Sequence, residues 1–230
     1  MHVRMASHMS RAAATREDED NIRHAEHILS SALLLLSPYP HGKMMDDSFN
    51  MEILSRELAK ICLRLGELRR KLSDLTGARE ALVEGIRLLD NNPSIVSAHM
   101  EELAGEQLAS TNTKAALEAK RRTLWICNGA LLQGGFSASL GRLLLDSGES
   151  SQADENLQSG VEFAVEVATI GFTMGDSALT ERAESLELRL LGLRQKALIM
   201  QNKTDSSKEL DARVAELSER LCLSLELEDS

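Results

Sequence analysis

The chain has 230 residues, 43% of them hydrophobic but only 3% aromatic, with a formal net charge of −10. That length holds one or two domains with a substantial core, and a core of Leu, Ala, Val and Ile suits helix-on-helix packing. The acidic balance argues against nucleic acid as the main partner, because phosphate binding needs a net positive face.

Residues 1–16 carry Arg4, Arg11 and Arg16 with no acid, and Glu17-Asp18-Glu19-Asp20 follow abruptly. Such a start resembles an organellar targeting segment, and Ser7-His8-Met9 equally resembles a cloning scar. We therefore set 1–16 aside as a disordered, targeting or tag segment and expect one helical domain over 17–230. Its first helix is predicted from the acidic cluster to Ser37, ended by Pro38-Tyr39-Pro40-His41-Gly42. A second helix from Asp47 or Ser48 presents Ile53, Leu54, Leu58, Ile61, Leu65, Leu68 and Leu72 on one apolar face. A third runs from about Ala78 to Leu89 and stops at Asp90-Asn91-Asn92-Pro93.

Helices over about 94–109 and 113–127 form the next pair, turning at Thr111-Asn112. A loop around Gly134-Gly135 is then expected before the clearest unit of the chain. There, Leu140, Leu143 and Leu144 precede a turn at Gly148, and Leu157 and Val161 follow a cap at Ser150 or Ser151. Gly171 to Gly175 break that second helix. Asp176 and Ser177 with Glu181 form an N-cap signature opening a helix over about 178–201. Asn202 to Ser207 mark the last turn before a terminal helix carrying Val214, Leu217, Leu221 and Leu225, whose acidic outer residues suit a capping helix facing water.

The unit over 134–167 resembles the tetratricopeptide repeat (TPR): a Leu-Gly pair (Leu140-Gly141), a turn glycine (Gly148), then small, large and small residues (Ala153, Leu157, Gly160). Ala81, Gly85, Leu88 and Pro93 resemble another second helix, with Leu65, Leu68 and Leu72 on its first. A fainter copy has Leu103-Ala104 and Ala116. Ala81, Ala116 and Ala153 recur at intervals of 35 and 37 residues, near that family's period of about 34. Ala25, Leu29, Ala32 and Pro38 look like one more second helix, with an enlarged connection after it. The departures are that leucine replaces most of the family's aromatics and that two intervals are stretched. The resemblance implies an all-α fold: antiparallel helix-turn-helix repeats stacked as a TPR-like α-solenoid of about nine helices.

Catalytic patterns are incomplete. His24-Ala25-Glu26 matches half of a zinc-deaminase signature, but no Pro-Cys-x-x-Cys supplies the other ligands. Gly175-Asp176-Ser177-Ala178-Leu179 superficially resembles an esterase serine motif, yet no histidine follows His99 and a helix cap explains the same residues. Acidic pairs such as Asp46-Asp47 and Glu101-Glu102 read as loop or helix-start caps, and Arg69-Arg70-Lys71 and Lys120-Arg121-Arg122 as solvated helix faces. Cys62, Cys127 and Cys222 read as reduced core cysteines of an intracellular protein. The longest apolar run, Ala32 to Leu36, is far below the roughly 20 residues of a membrane span. We expect a soluble, non-enzymatic chain with no metal or cofactor and no small-molecule partner, cytoplasmic unless the Arg-containing start directs it to mitochondria or another organelle.

In the family, first helices line a concave groove that receives a peptide or helix. Carried onto this chain, the groove presents Leu63, Gly66 and Arg70, then Ala98, Glu101 and Gly105, then Ala138, Arg142 and Leu145. Glu101 and the small residues break the basic set with which one version of the groove clamps carboxylate tails. The resemblance thus implies a protein–protein interaction scaffold or adaptor, with Arg70, Glu101 and Arg142 fixing specificity and Leu63 and Leu145 giving apolar contact. The alternative is a permanent structural subunit of a large multiprotein assembly.

Overall fold

The computed structural model describes residues 19–36, 48–89, 94–109 and 112–228. The expectations for 1–16, for Pro38 to Gly42 and for Asp90 to Pro93 lie outside these residues. Among the described residues there is no strand. These residues form eight long helices and one short helical segment, where the sequence suggests about nine helices. They are α1 (Glu19–Leu36), α2 (Ser48–Lys71), α3 (Leu75–Leu89), α4 (Ile95–Leu108), α5 (Thr113–Asp146), α6 (Ser150–Thr173), α7 (Ser177–Met200), the short α8 (Thr204–Glu209) and α9 (Asp211–Glu228). The chain divides into two compact units, residues 1–92 and 93–230.

In the first unit, α2 turns its Ile61, Leu65 and Leu68 toward Ala25, Leu29 and Ala32 of α1 and Ala81 of α3. These residues recur at three- and four-residue intervals, so one face of each helix is apolar and must be covered. Arg69 ties the three helices together. Its Nε donates to Glu26 at 3.0 Å and its Nη1 to the Gly77 carbonyl at 3.2 Å. A Cβ on Gly66 would lie 2.6 Å from Leu82 Cγ, so Gly66 belongs to the α2–α3 contact and not to a groove.

In the second unit, α5 is one unbroken helix of 34 residues. The loop expected at Gly134-Gly135 does not exist. Gly134 is buried, and a Cβ there would meet Leu186 Cδ2 at 2.8 Å. Its glycine lets α7 approach, a packing role that leaves the backbone helical because no proline or cap stands nearby. The first half of α5 pairs with α4, and the second half pairs with α6. Ala98, Ile126, Cys127, Ala130, Val167, Ile170, Leu179 and Ala183 join α4 to α7 in one core.

The turns follow their local chemistry. Gly148 and Gly175 adopt φ of +80° and +65°, the left-handed conformation that closes a helix on its own last carbonyls. Glu149 N–H donates to Leu144 O at 2.8 Å and Asp176 N–H to Gly171 O at 2.9 Å. The Asp176 side chain accepts from Leu179 N–H at 3.0 Å, the cap expected there. At α6 the expectation fails: Ser150 is already helical and Glu149 holds the cap position without a side-chain bond.

Cys62 and Cys127 are fully buried, and burial pushes each thiol up to about 12. Cys222 is exposed, not a core residue as its apolar neighbours suggest. Among the described residues, no helix is long and apolar enough to cross a membrane.

Two glycines should respond to alanine with opposite signs. A Cβ on Gly171 would lie 2.9 Å from the Thr180 backbone nitrogen, whereas one on Gly192 would meet nothing within 4 Å. Backbone cannot swing aside as a side chain can, so Gly171→Ala should destabilise by roughly 2 kcal/mol. Gly192→Ala should stabilise by about 0.5–1 kcal/mol through helix propensity alone. Denaturant melts of both variants check the pair.

Candidate functional site

The residues implied by the repeat resemblance fall into separate places. Leu63 and Arg70 are half-buried on α2, in the first unit. Glu101, half-buried on α4, accepts from Arg122 Nη1 of α5 at 3.4 Å. Arg142 is exposed and Leu145 half-buried near the C-terminal end of α5. Because α5 does not break, Arg142 lies about 20 residues beyond Arg122, roughly 30 Å along the helix axis at 1.5 Å per residue. Glu101 and Arg142 therefore share no cluster, while Arg142 and Leu145 share one face. Ala98 and Ala138 are fully buried, so neither lines an open groove.

The second unit holds a cleft that the repeat resemblance does not point to. It lies where the last turns of α4, the first turns of α5 and the C-terminal end of α6 meet, and encloses about 380 Å³. Glu102, Glu106, Ala116, Leu117, Lys120 and Met174 line it. Glu102 sits in the middle of α4, not at a helix start, so capping does not account for it. Its helical register explains its burial: Ala98, Glu102 and Gly105 recur every three or four residues on the face that meets α5. A Cβ on Gly105 would lie 3.4 Å from Ala119 Cβ.

The Glu102 side chain is only 9% exposed, and its Oε1 is buried with no hydrogen-bond partner. The other oxygen stands 3.9 Å from His99 Nδ1, and His99 Nε2 is itself engaged with Glu166 at 2.9 Å. Burial, with Glu106 adding to it and His99 opposing, holds the Glu102 carboxyl above the usual carboxylate range. Lys120 is exposed and makes no ion pair among the described residues. An apolar-walled cleft with one desolvated acceptor is a binding geometry.

A raised carboxyl pKa means that folding favours the protonated form. The sign follows: the contribution of Glu102 to stability is fully present below the unfolded carboxylate pKa and is lost as pH rises through the folded one. Glu102→Gln keeps the shape without the charge. It should therefore raise stability at neutral pH by on the order of 1 kcal/mol, the cost of an unpaired buried polar group. The gain should vanish as pH falls below the carboxylate range, which parallel thermal melts from about pH 7.5 to about pH 4 would display.

The other sequence candidates are dispersed. His24 and His27 are exposed on α1, and among the described residues no three His, Cys, Asp or Glu side chains gather as a metal site. Ser177 is exposed in the first turn of α7, beside the Asp176 cap. In comparison with known proteins, no family model and no curated protein matches this chain.

Proposed function

We propose that the chain is a non-catalytic, TPR-like helical scaffold that binds another protein along its helix faces. The observation that carries this reading is the packing order in the second unit. Each helix packs mainly on its neighbours one and two places along the chain: α4 on α5, α5 on α6, α6 on α7, with α5 also touching α7 and α9 touching α7. Stacks built this way leave a continuous side uncovered, the surface that helical repeats use for recognition. In this reading Arg142, exposed beside Leu145, is the best-placed charge in the second unit. Arg70 with Leu63 plays that part in the first, and Glu101 has a smaller role because Arg122 already engages it.

The test is capture of the tagged chain from a lysate of its source cells, washed at low and high salt, beside Arg142→Glu and Arg70→Glu. A substoichiometric partner lost at high salt, and bound about tenfold more weakly by Arg142→Glu, fits a reversible adaptor. Unchanged binding by both variants overturns the assignment of these faces.

A second reading, a permanent subunit of a larger assembly, draws on the spread of exposed apolar side chains. Met100, Leu103, Leu117, Phe172, Ile199 and Met200 are all more than half exposed, with Phe172 at 81%, and they come from four helices. Stoichiometric partners surviving high salt would select this reading.

A further inference from the structure

We infer that the cleft at the meeting of α4, α5 and the end of α6 is a binding site for an alkylammonium group, with Glu102 as its acceptor. The inference stands on this cleft alone and does not depend on the scaffold reading. Glu102 Oε1 is a buried carboxylate oxygen without a donor, and a desolvated acceptor of that kind is costly unless something donates to it. Oε1 lacks a donor while the other oxygen lies toward His99, so the side chain offers a single acceptor. A point donor such as –NH₃⁺ fits that arrangement better than a guanidinium fork, which wants both oxygens of a carboxylate.

The rest of the cleft suits the remainder of such a ligand. Ala116, Leu117 and Met174 offer apolar wall for a short alkyl stem. The C-terminal ends of α4, at Ala109, and α6, at Thr173 and Met174, both border the cleft and bring partial negative charge, against the single N-terminus of α5 at Thr113. Glu106 adds a second carboxylate at the rim, and Lys120 on the same rim disfavours a cation without filling the site. The net field at Glu102 thus favours a positive group.

Two sources share this chemistry, a free small amine and a lysine side chain of a partner. The experiment is an amide NMR titration of the full chain with n-butylammonium, n-butanol and a lysine blocked at both ends. Saturable shifts at Gly105, Ala116, Leu117 and Met174 with n-butylammonium are expected. About tenfold weaker binding is expected for Glu102→Gln and for the shortened Glu102→Asp, and tighter binding for Lys120→Met. Two variants at Glu102 guard against one that misfolds. Blocked lysine binding at least as well as n-butylammonium identifies a partner side chain as the ligand; n-butylammonium alone identifies a small amine. Equal binding of n-butanol, no saturable shift, or shifts unchanged in both Glu102 variants overturns the inference.

Discussion

Leu157→Ala should cost the second unit about 3 kcal/mol or more, and adding Gly141→Ala to it should cost less than the two changes made separately. Leu157 is fully buried, and removing a buried leucine side chain typically costs about 2–5 kcal/mol, depending on how far the cavity collapses. Its branch lies over Gly141, with Cγ and Cδ2 at 2.5 and 2.6 Å from where a Cβ on Gly141 would sit. Gly141→Ala alone therefore overpacks the α5–α6 crossing by about 1–3 kcal/mol, offset in part by up to about 1 kcal/mol of helix propensity. In the double variant the new methyl enters space that Leu157 has vacated. A coupling of about 1 kcal/mol should appear in a double-mutant cycle. The only tryptophan, Trp125, lies on α5 in this unit, so its fluorescence follows the unfolding. Additivity within about 0.5 kcal/mol would contradict the contact.

That crossing was also the most legible part of the sequence, for the same reason. Small residues opposite a large one, on both sides of a glycine turn, leave few packings other than a close antiparallel pair. Gly141, Ala153, Leu157 and Gly160 all lie in that contact: Ala153 and Leu157 are fully buried, and a Cβ on Gly160 would meet Ser137 Cβ at 2.7 Å. The same rule failed at Gly134-Gly135, where a glycine without a cap or a proline nearby serves packing across a helix and not a turn. Sequence spacing cannot separate those roles, because the close approach is made by Leu186, about 50 residues away. The failure moved the site as well. A break there would have set Glu101 and Arg142 on neighbouring first helices, and the unbroken helix sets them far apart.

Glu102 was hidden by a different difficulty. Its position in the Ala98–Gly105 stripe was readable as a face pointing at another helix, and the helix expected over about 94–109 already put it in the interior, so the cap reading of Glu101-Glu102 failed although the helix bounds were right. Burial of its oxygen depends on α6 ending beside α4, which no local pattern encodes. The Asp176 cap was readable because its partner lies within three residues, whereas the cap expected at Ser150 or Ser151 was not formed.

Arg213→Ala should destabilise the second unit by about 3 kcal/mol and release α9, whereas Arg87→Ala should change stability by less than about 0.5 kcal/mol. The two arginines make nearly the same contact. Arg213 donates through Nε and Nη2 to the two oxygens of Glu187 at 2.7 and 2.9 Å; Arg87 donates through Nε and Nη2 to those of Glu84 at 2.8 and 2.7 Å. Burial separates them. The Glu187 side chain is 2% exposed, against 42% for Glu84. Water replaces a lost partner at Glu84, but Glu187 would be left as an unpaired carboxylate in the protein interior. The cost falls at the low end of the buried-pair range because Arg213 keeps 37% of its side chain exposed. The paired hydrogen bonds to Glu187 and Glu216 also raise the Arg213 pKa, so its charge persists at every pH where the fold does. Arg220, donating to Glu184 at 2.9 Å, Gln195, donating to Asp211 at 2.7 Å, and the buried Leu217 would still hold α9 on α7. Hydrogen exchange across residues 213–222 should therefore accelerate by about a hundredfold in Arg213→Ala. Replacing both partners together, Arg213→Met with Glu187→Met, should restore protection, since a well-packed apolar pair matches a buried ion pair. Equal losses in the single and double variants would mean that packing around Leu217, and not the ion pair, decides whether α9 stays docked.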